Sequence, residues 1–184
     1  AIADERFAVL PLVLELSAEA KALSGGRHVV ELDLGEPATI TGSRDELRSA
    51  FSNLVSNAIR YTPPDGTIGL AWRVEPSGCG VFAVTDSGIG IAKEHLPRLT
   101  ERFYRVDRSR SRATGGTGLG LAIVKHVLLR HQAELVVDST PGSGSTFSVR
   151  LPAKRVRLEP VADAAAGEDA PAPTSTSARS GTGA

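Results

Sequence analysis

Three groups of residues in this chain have types and spacings suited to chemistry. Asn53 and Asn57 stand four apart, Asp86 is followed at two-residue steps by Gly88 and Gly90, and Gly115-Gly116-Thr117-Gly118-Leu119-Gly120-Leu121 opens a helical pattern. An Asn side chain offers a carbonyl oxygen for a hard cation and an amide that can donate to a phosphate oxygen. A carboxylate only accepts, so Asp86 at a strand end could take an exocyclic amino group, while glycines let backbone approach a flat ring closely. A glycine loop leading into a helix aims the first N–H groups and the positive dipole end at an anion. The first two groups also have ordinary readings, a solvated helix face and a simple turn. In this order along one chain, the three look like parts of a nucleotide site. The loop lacks the Gly-Lys-Ser/Thr of a P-loop. No parallel βαβ unit begins there and no acidic residue follows a second strand, which excludes a dinucleotide fingerprint.

Elements must hold these groups. Val9, Leu10, Leu12, Val13, Leu16, Ala20 and Leu23 recur at helical spacing until Gly25-Gly26, with Pro11 in the first turn. Short strands are expected at 28–34 and 38–42. Ser43 to Glu46 reads as a capping box, with Ser43 as N-cap and Glu46 returning the bond, opening a second helix that Pro63-Pro64-Asp65-Gly66 ends. On that helix Leu47, Phe51, Leu54 and Ala58 share one face, and Asn53, Asn57 and Arg60 another. Alternation around Ile68–Val74 and Val81–Thr85 predicts a hairpin, a helix follows over 118–131, and 135–139 with 145–151 form a last hairpin. Hairpins mixed with helices imply an α+β fold, a mixed sheet with helices on one face.

Composition bounds the partners. The 184 residues carry 21 basic and 21 acidic side chains, a formal net charge of zero, so nothing global argues for nucleic acid. The arginines between Thr100 and Gly116 (102, 105, 108, 110, 112) have little aromatic interleaving beyond Phe103 and Tyr104. A single cysteine, Cys79, excludes an internal disulfide framework and reads as a small hydrophobe near a turn. No run reaches the roughly 18 apolar residues of a membrane span. Methionine is absent throughout, which suggests a fragment. From Lys154 onward Ala, Pro, Ser, Thr and Gly dominate, so 154–184 reads as a disordered tail, 9–153 as one domain and 1–8 as a linker.

Four stretches together resemble a known family. Asn53-Leu54-Val55-Ser56-Asn57-Ala58-Ile59-Arg60-Tyr61-Thr62 is similar to the N box, Asp86-Ser87-Gly88-Ile89-Gly90-Ile91 to the G1 box, Glu101-Arg102-Phe103-Tyr104-Arg105-Val106-Asp107 to the F box, and Gly116-Thr117-Gly118-Leu119-Gly120-Leu121 to the G2 box. This is the signature of the GHKL ATPase superfamily, and specifically of the ATP-binding catalytic domain of bacterial sensor histidine kinases. The resemblance covers about residues 9 to 152, and the F and G2 wording resembles the phosphate-regulon sensor kinases.

The resemblance implies a two-layer α/β sandwich of about five mostly antiparallel strands against about three helices, with ATP and Mg²⁺ as ligands. Asn57 would ligate the metal, Asn53 would support metal and phosphates, and Arg60 would contact phosphate. Tyr61 would lie against adenine, Asp86 would bind its amino group, and Gly88, Gly90 and Ile91 would shape the base pocket. Thr117, Gly118, Leu119, Gly120 and Leu121 would hold the phosphates, and Arg105 would reach the γ-phosphate from a lid spanning Thr100 to Gly116. One departure is Thr100, where the F box usually has Phe.

None of His28, His95, His126 and His131 sits in the acceptor motif of such kinases, His followed by an acidic residue and then Arg-Thr-Pro. The resemblance therefore implies that the phosphoacceptor histidine and dimerisation helices lie in the parent protein, a cytoplasmic-facing homodimer anchored in the inner membrane. Its partner would be a response regulator receiver domain. The isolated chain would be a monomer with no membrane contact, binding ATP without completing the reaction. Two alternatives stay open: a degenerate GHKL nucleotide-binding module, and a GHKL serine kinase of the anti-sigma type.

Overall fold

The computed structural model describes residues 4–106 and 118–160. A five-stranded sheet runs in the order β2 (Val29–Leu34), β4 (Thr67–Val74), β5 (Gly80–Asp86), β7 (Gly144–Leu151), β6 (Glu134–Thr140). The β2–β4 pair is parallel and the other three are antiparallel. Both expected hairpins form, because alternation puts Ile68, Leu70 and Trp72 of β4 and Phe147, Val149 and Leu151 of β7 on the same buried side. Three helices cover that side: α1 (Val9–Ser24), α2 (Arg44–Tyr61) and α3 (Gly120–Arg130). This is the two-layer α/β arrangement expected from the sequence.

Local chemistry sets the helix ends. Pro11 sits where helix N–H groups lack intrahelical partners, so its missing donor costs nothing. Gly25 ends α1 in the left-handed region at φ +56°, its N–H bonding the Lys21 carbonyl at 3.1 Å. Along α2, Leu47, Phe51, Leu54 and Ala58 are buried, and Phe51 stacks on Phe82 of β5 with ring centroids 4.2 Å apart.

Two sequence expectations about the ends of the folded body are corrected. Residues 5–8, expected within a linker, form strand β1 (Glu5–Ala8), paired antiparallel with β3 (Ala38–Gly42). Residues 154–158, expected in a disordered tail, form part of a short 3-10 turn (Ala153–Arg155) and strand β8 (Val156–Leu158), which pairs with the other edge of β3. Both strands are too short for a readable alternation, and the edges of β3 supply the pairing. Arg155 fastens them together, Nη1 donating to Asp4 and to the Thr41 carbonyl at 2.9 Å each. The remainder of the expected tail, 161–184, lies outside the described residues.

The capping box is only half formed. Ser43 Oγ accepts the Glu46 N–H at 3.4 Å, as expected. The Ser43 N–H, however, donates to Nε2 of His131 at 3.0 Å. The Glu46 carboxylate turns instead to Arg130, 3.2 Å away, because a guanidinium is a stronger partner than one amide.

Candidate functional site

The polar face of α2, the end of β5 and the start of α3 meet around one cleft of about 200 Å³. Asn53, Asn57, Arg60 and Tyr61 line it from α2, Asp86, Gly90 and Ile91 from β5 and the turn after it, and Gly118, Gly120 and Leu121 from the loop and first turn of α3. Arg105 lines it too, its side chain close against Gly118. The helical period of α2 is what turns its asparagines away from Phe51 and toward this space.

Tight backbone contacts fix the walls. Gly90 has φ +68°, and a Cβ there would lie 2.1 Å from the Thr140 carbonyl oxygen. Only glycine lets this turn lie against the β6–β7 hairpin. Hydrogen bonds from Gly142 N–H to the Ile89 carbonyl (2.7 Å) and from Ile91 N–H to Ser139 Oγ (2.8 Å) hold it there. On the opposite side a Cβ on Gly120 would meet Asn53 Oδ1 at 3.0 Å, so the start of α3 rests on the Asn53 carboxamide. Asn53 Nδ2 donates to the Ser49 carbonyl at 2.8 Å, which aims the oxygen at α3.

Asp86 is buried at the end of β5, 7% exposed. Burial pushes its carboxyl above the usual carboxylate value, while the N–H groups of Gly88 and Ser145 pull it partly back. Oδ1 accepts the Gly88 N–H at 2.8 Å. A buried acceptor in the wall of this cleft suits an amino group of a flat ring.

The donors suit a cation that arrives with its own anion. Among the described residues no three His, Cys, Asp or Glu side chains gather as a metal cluster. The asparagine face offers neutral oxygens, so the charge of a divalent ion would have to be met by phosphate and its shell completed by water. That is the habit of Mg²⁺ on a nucleotide.

Other expected positions fall differently. Gly88 lies behind the cleft, where a Cβ would meet the Tyr61 carbonyl at 2.4 Å, and Leu119 is the N-cap of α3 without lining it. Thr117, Arg108, Arg110 and Arg112 lie outside the described residues. At the base of the expected lid, Phe103 N–H donates to the Gly118 carbonyl at 3.0 Å. Leu99, not Thr100, provides the buried apolar anchor before Glu101.

The sequence reading missed Ser56, Ile89, Leu99, Tyr104, Val106, Ser145 and Phe147 as lining residues. Ser145 faces Asp86 through the β5–β7 register, which no local pattern reveals. Tyr104 was legible only as a neighbour of Arg105. It is held by a hydrogen bond between its hydroxyl and His95 Nδ1 and by Arg98 stacked 4.3 Å above its ring.

Comparison with known proteins agrees with this geometry. The profile of the family described as "Histidine kinase-, DNA gyrase B-, and HSP90-like ATPase" matches residues 42–155. The "Phosphate regulon sensor protein PhoR" of Pseudomonas aeruginosa is 56% identical over 142 residues, 77% of this chain and 32% of that protein. The "Sensor-like histidine kinase SenX3" of Mycolicibacterium smegmatis is 51% identical over 113 residues, 61% of this chain and 29% of that protein. The chain thus spans about a third of the length of these relatives. The solved "Mycobacterial sensor histidine kinase MprB" superposes with a TM-score of 0.71 at 27% identity, covering 81% of this chain and 97% of that one.

Proposed function

Because the chain belongs to the histidine kinase-, DNA gyrase B- and HSP90-like ATPase family, we propose that it is the ATP-binding catalytic domain of a two-component sensor histidine kinase. It binds Mg-ATP and presents the γ-phosphate to a histidine on a dimerisation domain of the same parent protein, for relay to a response regulator receiver domain. The observation that carries this reading is the convergence of the α2 asparagines, Asp86, Arg105 and the start of α3 on one cleft.

In this reading each wall has a task. Asp86 accepts the adenine amino group, Tyr61 and Ile91 flank the base, and Gly90 keeps the turn close to it. The first N–H groups of α3, with Thr117 and Gly118 before them, receive phosphate oxygens. Arg60 and Arg105 neutralise charge on the phosphate tail. Asn57, supported by Asn53, holds Mg²⁺, which supplies charge neutralisation on the phosphates. In the transfer the acceptor imidazole nitrogen bonds to the γ-phosphorus as the bond to the bridging oxygen breaks, releasing ADP. The protein's share is positioning and electrostatics.

The acceptor is proposed to lie elsewhere in the parent. His28 and His131 are buried and hydrogen-bonded, and His95 is engaged by Tyr104. Of the described helices none is long and apolar enough to cross a membrane. We place this domain on the cytoplasmic side of a membrane-anchored homodimeric parent, as the sensor-kinase reading implies; the one-third coverage of the relatives supports a parent longer than this chain. Calorimetric titration with a non-hydrolysable ATP analogue, with and without Mg²⁺, tests the core of the proposal. One site with Mg²⁺-dependent affinity is expected, and absence of binding would sink it. With γ-labelled ATP the isolated chain should take up no acid-labile label.

A further inference from the structure

We propose that His131 is a positioning residue for the phosphate half of the cleft, acting by fixing the register of α3 along α2. This rests on the nucleotide-site reading for its consequence, though not for its geometry. His131 is 2% exposed and follows the last residue of α3. Its Nδ1 lies 2.8 Å from the Val127 carbonyl, which can only accept, so Nδ1 carries the proton. Nε2 is then an acceptor, and it takes the Ser43 N–H at 3.0 Å. That donor is one of the N–H groups at the start of a helix that need a partner from outside. A side chain 88 residues away provides it.

The consequence lies at the other end of α3. The two helices run antiparallel, so that the end of α3 meets Ser43 while its start, Gly120, rests on Asn53. From Ser43 to Asn53 is ten residues and from Gly120 to His131 eleven, which at 1.5 Å per residue is about 15 and about 16.5 Å. Two pins at matched separations define the sliding position of one helix on the other. A slip of one residue, 1.5 Å, carries the first N–H groups of α3 out of alignment with Asn53 and Asn57. The rear pin is closely fitted: a Cβ on Gly42 would lie 2.6 Å from His131 Cδ2, and the Glu46–Arg130 pair braces the same junction. Asp86 and Gly90 lie on β5 and the turn after it, outside this helix pair. The register should therefore govern phosphate binding and leave base binding alone.

The test compares the full chain with His131→Leu, which fills space without an acceptor, and His131→Gln, whose side-chain oxygen can again receive the Ser43 N–H. Affinities for an Mg-ATP analogue and for adenosine are measured beside nuclear Overhauser contacts between the Asn53 carboxamide and Gly120 in the ligand-free protein. Expected for Leu is a roughly tenfold loss for the ATP analogue, adenosine within about twofold, and loss of the Asn53–Gly120 contact. Gln should recover most of the affinity and the contact. Equal losses for both ligands, an unchanged contact and affinity in Leu, or a Gln variant no better than Leu would each overturn the proposal. If His131→Leu does not fold, Ser43→Pro removes the same N–H at a φ of −82° that proline tolerates, with Ser43→Ala as its control. The proline variant should show the split and the alanine variant should not; identical behaviour refutes it. If the unmutated chain takes up neither ligand, the nucleotide reading has failed, and the Asn53–Gly120 contact alone decides the positioning role.

Discussion

Asp86→Asn should separate binding from stability in opposite directions. The carboxyl is 7% exposed and burial raises its pKa, so the charged form is held at a cost in the empty cleft. An Asn of the same shape can keep its oxygen on the Gly88 N–H, 2.8 Å away in the wild type; it weakens the smaller Ser145 N–H contribution but carries no charge to desolvate, and desolvation is the larger effect. The empty variant should melt at the same temperature or higher. Toward a base amino group, however, the new amide presents donors to a donor. Losing a charge-assisted bond of about 1.5–3 kcal/mol weakens nucleotide binding by roughly 10- to 150-fold. The sign with pH follows from the raised pKa. The contribution of Asp86 to the empty fold is greatest below its ordinary value of 3.8 and is lost as pH rises through its folded-state value. Nucleotide binding runs the other way, weakening as pH falls and the acceptor is protonated. Calorimetric titration and thermal melts of both proteins from about pH 4 to 8 check this. A variant that binds the ATP analogue within threefold of wild type, or loses melting temperature and affinity together, would refute the assignment of Asp86 as a buried base acceptor.

Two further outcomes follow from the geometry. Gly90→Ala forces a side chain into a positive-φ position 2.1 Å from the Thr140 carbonyl; by denaturant titration it should cost about 1–3 kcal/mol and weaken adenosine binding. Ending the chain after Pro152 removes β8 and the Arg155 bonds to Asp4 and Thr41. Relative to a chain ending after Pro160, it should speed amide exchange in residues 5–8 and 38–42 and lower the melting temperature.

Where the chain's own periodicity spoke, the sequence was a good guide. Phe51 at helical spacing and Ile68, Leu70 and Trp72 at alternate positions each declared the face they bury, and the hairpin turns declared themselves through Gly and Pro. The asparagines of α2 and the glycines leading into α3 were legible because their types are costly in ordinary helix and so ask for a reason. Features built from distant pairings were not legible. β1 and β8 exist because β3 has two edges to fill, and the alignment of Ser145 beside Asp86 is decided by strand register. The capping box misled for the same reason. Its local pattern was sound, but Arg130 and His131, remote in sequence, took both groups that would have closed it. The lining by Leu99 and Tyr104 depends on how the chain folds back after the 3-10 turn at Lys93–Arg98, which local propensity does not encode.

The small sheet β1–β3–β8 also sets where the chain enters and leaves the folded body. Both outer strands run antiparallel to β3 and so parallel to each other: the chain comes in at Glu5 beside Gly42 and goes out at Leu158 beside Ala38, at opposite ends of β3. Four residues of β3 and two strand spacings lie between these two ends, a diagonal of about 16 Å. A circular permutant joining the segment after Leu158 to that before Glu5 through a linker long enough to span that diagonal, and opened at the Ser77–Cys79 turn, should keep the cleft intact.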